Sequence, residues 1–184
     1  MTLEERITRL EDIEAIRQLQ ARYQRCLDCR DFDSLADCFT PDAVSSYGNG
    51  SMSYRGRDEI LHFLCRVMTT RMPSTHLIHG GEIDVKGTEA TALWYLEDYL
   101  LHRTYLMKIH GAAIYRVTYR KTDGRWQICS IGYERCYEYM QFRGLLNLIT
   151  LGKTTFLNRV AKADPAQCGP FDRYFQQHTL KKKV

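Results

Sequence analysis

Between His76 and Glu138 the chain carries four long stretches of strand-forming residues with only brief turn signals between them. The stretches run over about 75–85, 88–102, 105–122 and 125–138, and the breaks fall at Lys86-Gly87, Arg103-Thr104 and Asp123-Gly124. Parallel neighbours need a crossover of a dozen residues or more, whereas two-residue loops join antiparallel strands. The second half of the chain is therefore predicted to form an antiparallel meander. Strands of this length must twist and bulge, and Gly80-Gly81, Gly111 and Gly132 stand where such irregularities are expected.

The first part reads differently. Leu3, Ile7, Leu10, Ile13, Ile16 and Leu19 recur at three- and four-residue spacing, followed by Tyr23, Cys26 and Leu27, which predicts one amphipathic helix over 3–29. A shorter helix is predicted over 31–39, stopped before Pro41. Brief strands at Val44–Tyr47 and Met52–Tyr54 flank the turn Gly48-Asn49-Gly50, and a third helix is predicted over 58–70. After residue 140, Leu145, Leu146, Leu148, Ile149, Leu151, Phe156 and Leu157 predict one or two helical segments. Helices followed by a meander give an α+β layer architecture, with helices on one face of a curved antiparallel sheet. The chain divides into a domain over 1–140 and a C-terminal helical extension or tail over 141–184.

At 184 residues a single domain is the default, burying roughly 70% of its unfolded surface. No apolar run approaches the roughly 18 residues of a membrane span, and Met1-Thr2-Leu3-Glu4-Glu5-Arg6 has no apolar signal core, so a soluble cytoplasmic protein is expected. The net charge of +4 is intermingled rather than arranged as a basic stripe set with aromatics, which argues against nucleic acid as a partner. Seven cysteines, an odd number, include one lone CxxC at Cys26 and Cys29; without an export signal or a second pair, free buried thiols are expected. There is no GxGxxG, phosphate loop, GxSxG or HExxH, so no cofactor is expected. His76 and His79 lie three apart on a strand and so point to opposite faces, which excludes them as a chelating pair, and no metal is expected.

Alternation places Ala90, Ala92, Trp94, Leu96, Asp98, Leu100 and His102 on one face of a strand. A carboxylate in line with Trp94 and Leu96 needs a partner or a purpose. A turn at Lys86-Gly87 sets His76 opposite Glu97, or opposite Asp98 if the Gly80-Gly81 region holds a one-residue bulge. A histidine–carboxylate pair in the sheet concavity fits this register, and so does a satisfied core histidine beside a structural acid. Asp28, in the last turn of the first helix, gains nothing from the helix dipole and reads equally as a cap residue. Twelve tyrosines against seven phenylalanines point to an interior with polar handles, suited to an aromatic or polycyclic ligand.

A resemblance adds to these readings. Tyr23 and Asp28 on the first helix, Phe32-Asp33-Ser34-Leu35, Phe39-Thr40-Pro41-Asp42-Ala43, Ser74-Thr75-His76 and Trp94-Tyr95-Leu96-Glu97-Asp98 resemble the SnoaL-like branch of the NTF2-like superfamily over about residues 3–140. Arg25-Cys26-Leu27-Asp28, Ser46-Tyr47 with Asn49-Gly50, Gly132-Tyr133 with Arg135, and Tyr137-Glu138 are similar to the bile acid 7α-dehydratase family. Scytalone dehydratases are a more distant likeness, through Leu27-Asp28, Ser46-Tyr47 and His76 with Ile78 and the glycine pair. The resemblance implies an NTF2-like cone, its curved antiparallel sheet and N-terminal helices enclosing one pocket.

It also implies roles. His76 would be the general base and Asp28 the acid that orients it, while Tyr23 and Asp98 would polarise the substrate oxygen, with Arg135 nearby. Tyr47 matches a carbonyl-polarising tyrosine, His102 falls near a second histidine, and Tyr115 stands where scytalone dehydratases carry an asparagine. Tyr47, His102, Tyr115, Arg135 and Trp94 are accordingly expected to contact substrate. The reaction implied is cofactor-free loss of water from a small, apolar, hydroxylated carbonyl compound such as a steroid, polyketide or aromatic intermediate. A ketosteroid-type isomerase is the enzymatic alternative. A non-catalytic binding module and a structural subunit like the small chain of ring-hydroxylating dioxygenases are the others. Leu93, Tyr95, Tyr99 and Leu101 on the second face of the sheet predict self-association. The dehydratase families imply a homotrimer, and the wider superfamily a dimer.

Overall fold

In a computed structural model, which describes residues 1–142 and 147–151, the long strands organise the molecule. Their alternation buries one face, and the helices pack against it. The elements are α1 (Leu3–Cys29), α2 (Phe32–Ala36), β1 (Phe39–Tyr47), β2 (Met52–Arg55), α3 (Arg57–Val67), β3 (Ser74–Lys86), β4 (Glu89–His102), β5 (Met107–Thr122), β6 (Arg125–Phe142) and β7 (Asn147–Leu151). The sheet order is β2-β1-β6-β5-β4-β3, with β7 paired to the C-terminal half of β6. β1 meets β6 in parallel and every other pairing is antiparallel. This is the α+β, NTF2-like fold.

α1 starts at a capping box, in which Thr2 accepts from the Glu5 N–H and the Glu5 carboxylate reaches back to the Thr2 N–H. It ends at Arg30, which takes a left-handed conformation and returns its N–H to the carbonyls of Cys26 and Leu27. Its inner stripe, Ile16, Leu19, Tyr23, Cys26 and Leu27, is fully or almost fully buried. Asp12 pins the other end of α1 to the sheet by accepting from Lys121 Nζ at 2.7 Å and Trp126 Nε1 at 2.8 Å.

Bulges decide which side chains enter the concavity. In β3 the register with β4 shifts between His79 and Gly81, and Gly80 takes a φ of +44° that favours glycine. The inward set therefore changes from Ser74, His76 and Ile78 to Gly81, Ile83 and Val85. The turn lies at Gly87-Thr88, with Lys86 opposite Glu89, one residue later than the sequence suggested. Turn and bulge together set His76 opposite Asp98. In β6 the register shifts twice, at Cys129 and Cys136. The second shift brings Arg135 and Glu138 to one face, although residues three apart on an unbroken strand face opposite ways.

Several expectations are corrected. The second helix is only one turn and β1 begins at Phe39, because Pro41 falls in an irregular stretch of the β1–β6 ladder that needs no N–H from it. The helical reading of 145–157 meets a strand at Asn147–Leu151, where pairing with β6 overrides leucine's helical preference; its remainder, like most of the predicted extension, lies outside the described residues. Cys26 and Cys38 are free and buried as expected, but Cys29, Cys65 and Cys136 are free and exposed. Among the described residues, no helix is long and apolar enough to cross a membrane.

Candidate active site

The helices α1 and α3 close over the concave sheet face and leave a cavity of about 70 Å³. Its apolar wall comes from α1 (Leu27), α3 (Phe63, Leu64, Val67) and the segment after it (Met68, Met72). Tyr23, Tyr47, Tyr115 and Tyr133 supply phenols, and His76, Asp98, Arg135 and Glu138 supply charge. At roughly 10–15 Å³ per water site, the cavity holds about five waters, close to the space of one six-membered ring.

Asp28 and His76 meet at one side. Asp28 Oδ1 lies 2.7 Å from His76 Nδ1 and accepts from Ser74 Oγ at 2.7 Å, while Oδ2 accepts from the His76 backbone N–H at 2.8 Å. Burial opposes the Asp28 charge, but the hydrogen bonds and charge of His76, with Ser74, outweigh it and hold the carboxyl below its ordinary value. With Nδ1–H directed to the carboxylate, Nε2 is the basic nitrogen left for the cavity. Arg30 secures this corner: its guanidinium donates to the carbonyls of Asp28, Thr69 and Met72, tying the end of α1 to the segment entering β3.

Across the cavity, Arg135 grips Asp98 with both terminal nitrogens, Nη1 to Oδ1 at 2.9 Å and Nη2 to Oδ2 at 2.6 Å. Its Nε stands 3.5 Å from Glu138 Oε2. All three side chains are almost wholly buried. Burial works against the guanidinium charge, yet Asp98, Tyr133 and Glu138 raise its pKa further above the ordinary arginine value. Both Asp98 oxygens are thus engaged by the Arg135 guanidinium.

The phenols remain as donors. Tyr23 OH and Tyr47 OH are buried and have no hydrogen-bond partner. Tyr47 stacks on Phe63 and tilts against Tyr133, each 5.8 Å away, and Tyr23 meets Phe39 edge-on at 5.7 Å. Burial pushes the hydroxyls of Tyr23, Tyr47 and Tyr115 well up, and that of Tyr133 to about 12. All four are protonated donors near neutral pH.

Of the nine residues expected from the sequence, His76, Asp98, Tyr23, Tyr47, Tyr115 and Arg135 line the cavity, and Asp28 stands behind His76. Two do not join them. Trp94 lies deeper, donating to Tyr119 at 3.0 Å, which passes the chain on to Gln20 at 2.5 Å; the missing Cβ of Gly81 makes room for its ring. His102 closes the β4–β5 turn, accepting from the Tyr105 N–H and tilting against the Tyr105 ring. Glu138 and Tyr133, on the cavity, and Ser74, on Asp28, are site residues beyond those nine. The β6 shifts at Cys129 and Cys136 cancel for Glu138, so alternation from Trp126 and Ile128 already places it on the inner face; Tyr133 and Arg135, between the two shifts, are the residues that alternation misplaces. Among the described residues, no group of three His, Cys, Asp or Glu is arranged to hold a metal ion.

A model of the SnoaL-like domain matches residues 8–131. Solved structures with this fold include a candidate scytalone dehydratase from Novosphingobium aromaticivorans, with TM-score 0.66 and 23% identity over 71% of this chain and 88% of that one. A hexachlorocyclohexane dehydrochlorinase from Novosphingobium barchaimii superposes with TM-score 0.68 and 20% identity over 76% and 95%. A candidate aromatic ring hydroxylase from N. aromaticivorans gives 0.63 and 22% over 77% and 94%. At these identities the likeness is one of fold.

Proposed function

The chain belongs to the SnoaL-like domain family of the NTF2-like superfamily, and on that footing we propose that it is a cofactor-independent lyase removing water from a hydroxylated carbonyl compound. The observation that carries this reading is the Asp28–His76 pair opening onto a cavity whose unpartnered donors include the buried hydroxyls of Tyr23 and Tyr47. His76 Nε2 removes a proton from the carbon beside the carbonyl. The electron pair moves onto the carbonyl oxygen, where the tyrosine O–H groups stabilise the oxyanion. The enolate then re-forms the carbonyl and expels the β-hydroxyl, which leaves as water on taking the proton back from the imidazolium. Asp28 fixes the tautomer and favours the imidazolium through the step.

The cavity favours a compact ring over a steroid, which would need the α3 wall to move. Two of the structural neighbours bear the names of eliminating enzymes, a candidate scytalone dehydratase and a dehydrochlorinase, which supports elimination over isomerisation. We also propose self-association through the outer sheet face, as a trimer, because Tyr95, Tyr99, Leu101 and Leu77 are exposed there; Leu93 is half-buried. Light scattering reads the assembly. The function is tested by offering hydroxylated cyclic ketones and following water loss by mass spectrometry. His76→Ala should lower the rate by roughly 10²–10⁴ while the circular dichroism spectrum is retained. A folded His76→Ala protein with undiminished activity removes histidine as the base.

A further inference from the structure

His76, Asp98, Gly111 and Glu138 are successive cross-strand partners, one row across β3, β4, β5 and β6. The third position has no side chain, and the Arg135 guanidinium occupies its place. A Cβ at residue 111 would fall 2.7 Å from Nη1 and 3.2 Å from Cζ, so Gly111 is what lets Arg135 lie in the row. There both terminal nitrogens of the guanidinium bond to Asp98, and its Nε, which makes no hydrogen bond, stands 3.5 Å from the Glu138 carboxylate as an ion pair. The His76 ring is committed through Nδ1 to Asp28.

Among the described residues lining the cavity, His76 and Arg135 are the two that can carry positive charge. Three carboxylates answer them: Asp28, Asp98 and Glu138. With the carboxylates ionised the group is net negative whether His76 is neutral or protonated. If Glu138 were protonated, Asp98 and Asp28 would still engage both cations. A carboxylate or phosphate entering the cavity would be desolvated without a cation to receive it, which is strongly unfavourable.

We propose that this row selects substrates by charge: the site takes an uncharged or cationic hydroxylated ring compound and rejects anions, with Glu138 as the specificity-determining residue. Gly111 is a positioning residue, because it keeps Arg135 locked on Asp98. The inference rests on the reading of the cavity as a substrate site and names its substrate class.

Phenol, benzoate and benzylamine provide matched neutral, anionic and cationic rings at pH 7. Their binding to the full chain is measured by calorimetry, with the His76 imidazole resonance reporting entry to the cavity. Phenol and benzylamine should bind and benzoate should not. Glu138→Gln preserves shape and removes one charge, and should raise the benzoate-to-phenol affinity ratio roughly 10- to 100-fold, as expected for a unit charge a few ångströms away. Gly111→Ala should raise the same ratio by freeing the guanidinium, giving an independent arm if the glutamine variant does not fold. Equal binding of benzoate and phenol to the wild type, a ratio unmoved in folded variants, or no binding by any ring overturns the proposal. Charge discrimination without water loss from any ketone leaves charge selection standing and removes the elimination chemistry instead.

Discussion

Replacing Asp28 by alanine should destabilise the fold as well as slow the reaction. β3 is an edge strand, and Asp28 takes its His76 backbone N–H, the His76 ring and the Ser74 hydroxyl together. Hydrogen bonds to a charged acceptor contribute about 1.5–3 kcal/mol each. The Asp28 side chain is 20% exposed, so water can replace part of the set for the hydroxyl and the ring. The backbone N–H is the donor left poorly served. A net loss of about 2–4 kcal/mol follows, which for a chain of this size lowers Tm by roughly 5–15 °C. Asp28→Asn keeps one acceptor and should lose about half as much. The folded carboxyl titrates below its unfolded value, so its stabilisation is fully present above about pH 4 and is lost as pH falls through the lowered folded value. The gap between wild type and Asp28→Asn should accordingly close in acid. Calorimetric melts at pH 7 and pH 3 give both readings. An Asp28→Ala melt within about 1 °C of wild type at pH 7 would refute the view that this carboxylate anchors β3 to α1.

Asp12→Ala should lose about 2–4 kcal/mol in a urea titration, because Trp126 is left without its acceptor and Lys121 without its partner; a loss under about 0.5 kcal/mol would show that the clamp is redundant. Ultraviolet titration should show the buried phenols of Tyr23, Tyr47, Tyr115 and Tyr133 resisting ionisation beyond pH 10. Their stabilisation is fully present below the unfolded value of 10 and is lost as pH rises toward the folded values, so alkaline unfolding should release them together. Ordinary, graded titration of every tyrosine in the folded protein would contradict the burial. Gly81→Ala would set a Cβ 2.4–2.9 Å from the Trp94 ring and should be destabilising by about 1–3 kcal/mol with a shift in tryptophan emission; unchanged emission would place the indole elsewhere.

Legibility followed the range of each cause. The helices and long strands were readable because alternation, three- and four-residue periodicity and Asp123-Gly124 act locally. The second half of β1 was found but its start at Phe39 was missed, since only pairing with β6 extends it past Pro41. The strand at Asn147–Leu151 was read as helix because leucines favour helix unless a partner edge is present. In the site, Asp28 and His76 were named through resemblance, and spacing alone did not distinguish a dyad from a core histidine. The Arg135–Asp98–Glu138 cluster depends on two irregularities, at Cys129 and Cys136, and unbroken counting from the Asp123-Gly124 turn puts Glu138 inward with Trp126 but points Arg135 outward. Alternation gives the face of Trp94 but not its depth along that face, where its indole N–H meets the Tyr119 hydroxyl.

The extra residue in β3 has a genetic meaning. Gly80 is an unpaired residue between two stretches of regular pairing, and no nearby side chain requires it; a Cβ there would meet nothing within 4 Å. Losing that single codon would join His79 directly to Gly81, leaving His76 inward opposite Asp98 and the hairpin at Gly87 and the core around Ile83 and Val85 as they are. The same meander can thus gain or lose this codon without moving the imidazole, and what the deletion changes is the local twist of the edge strand.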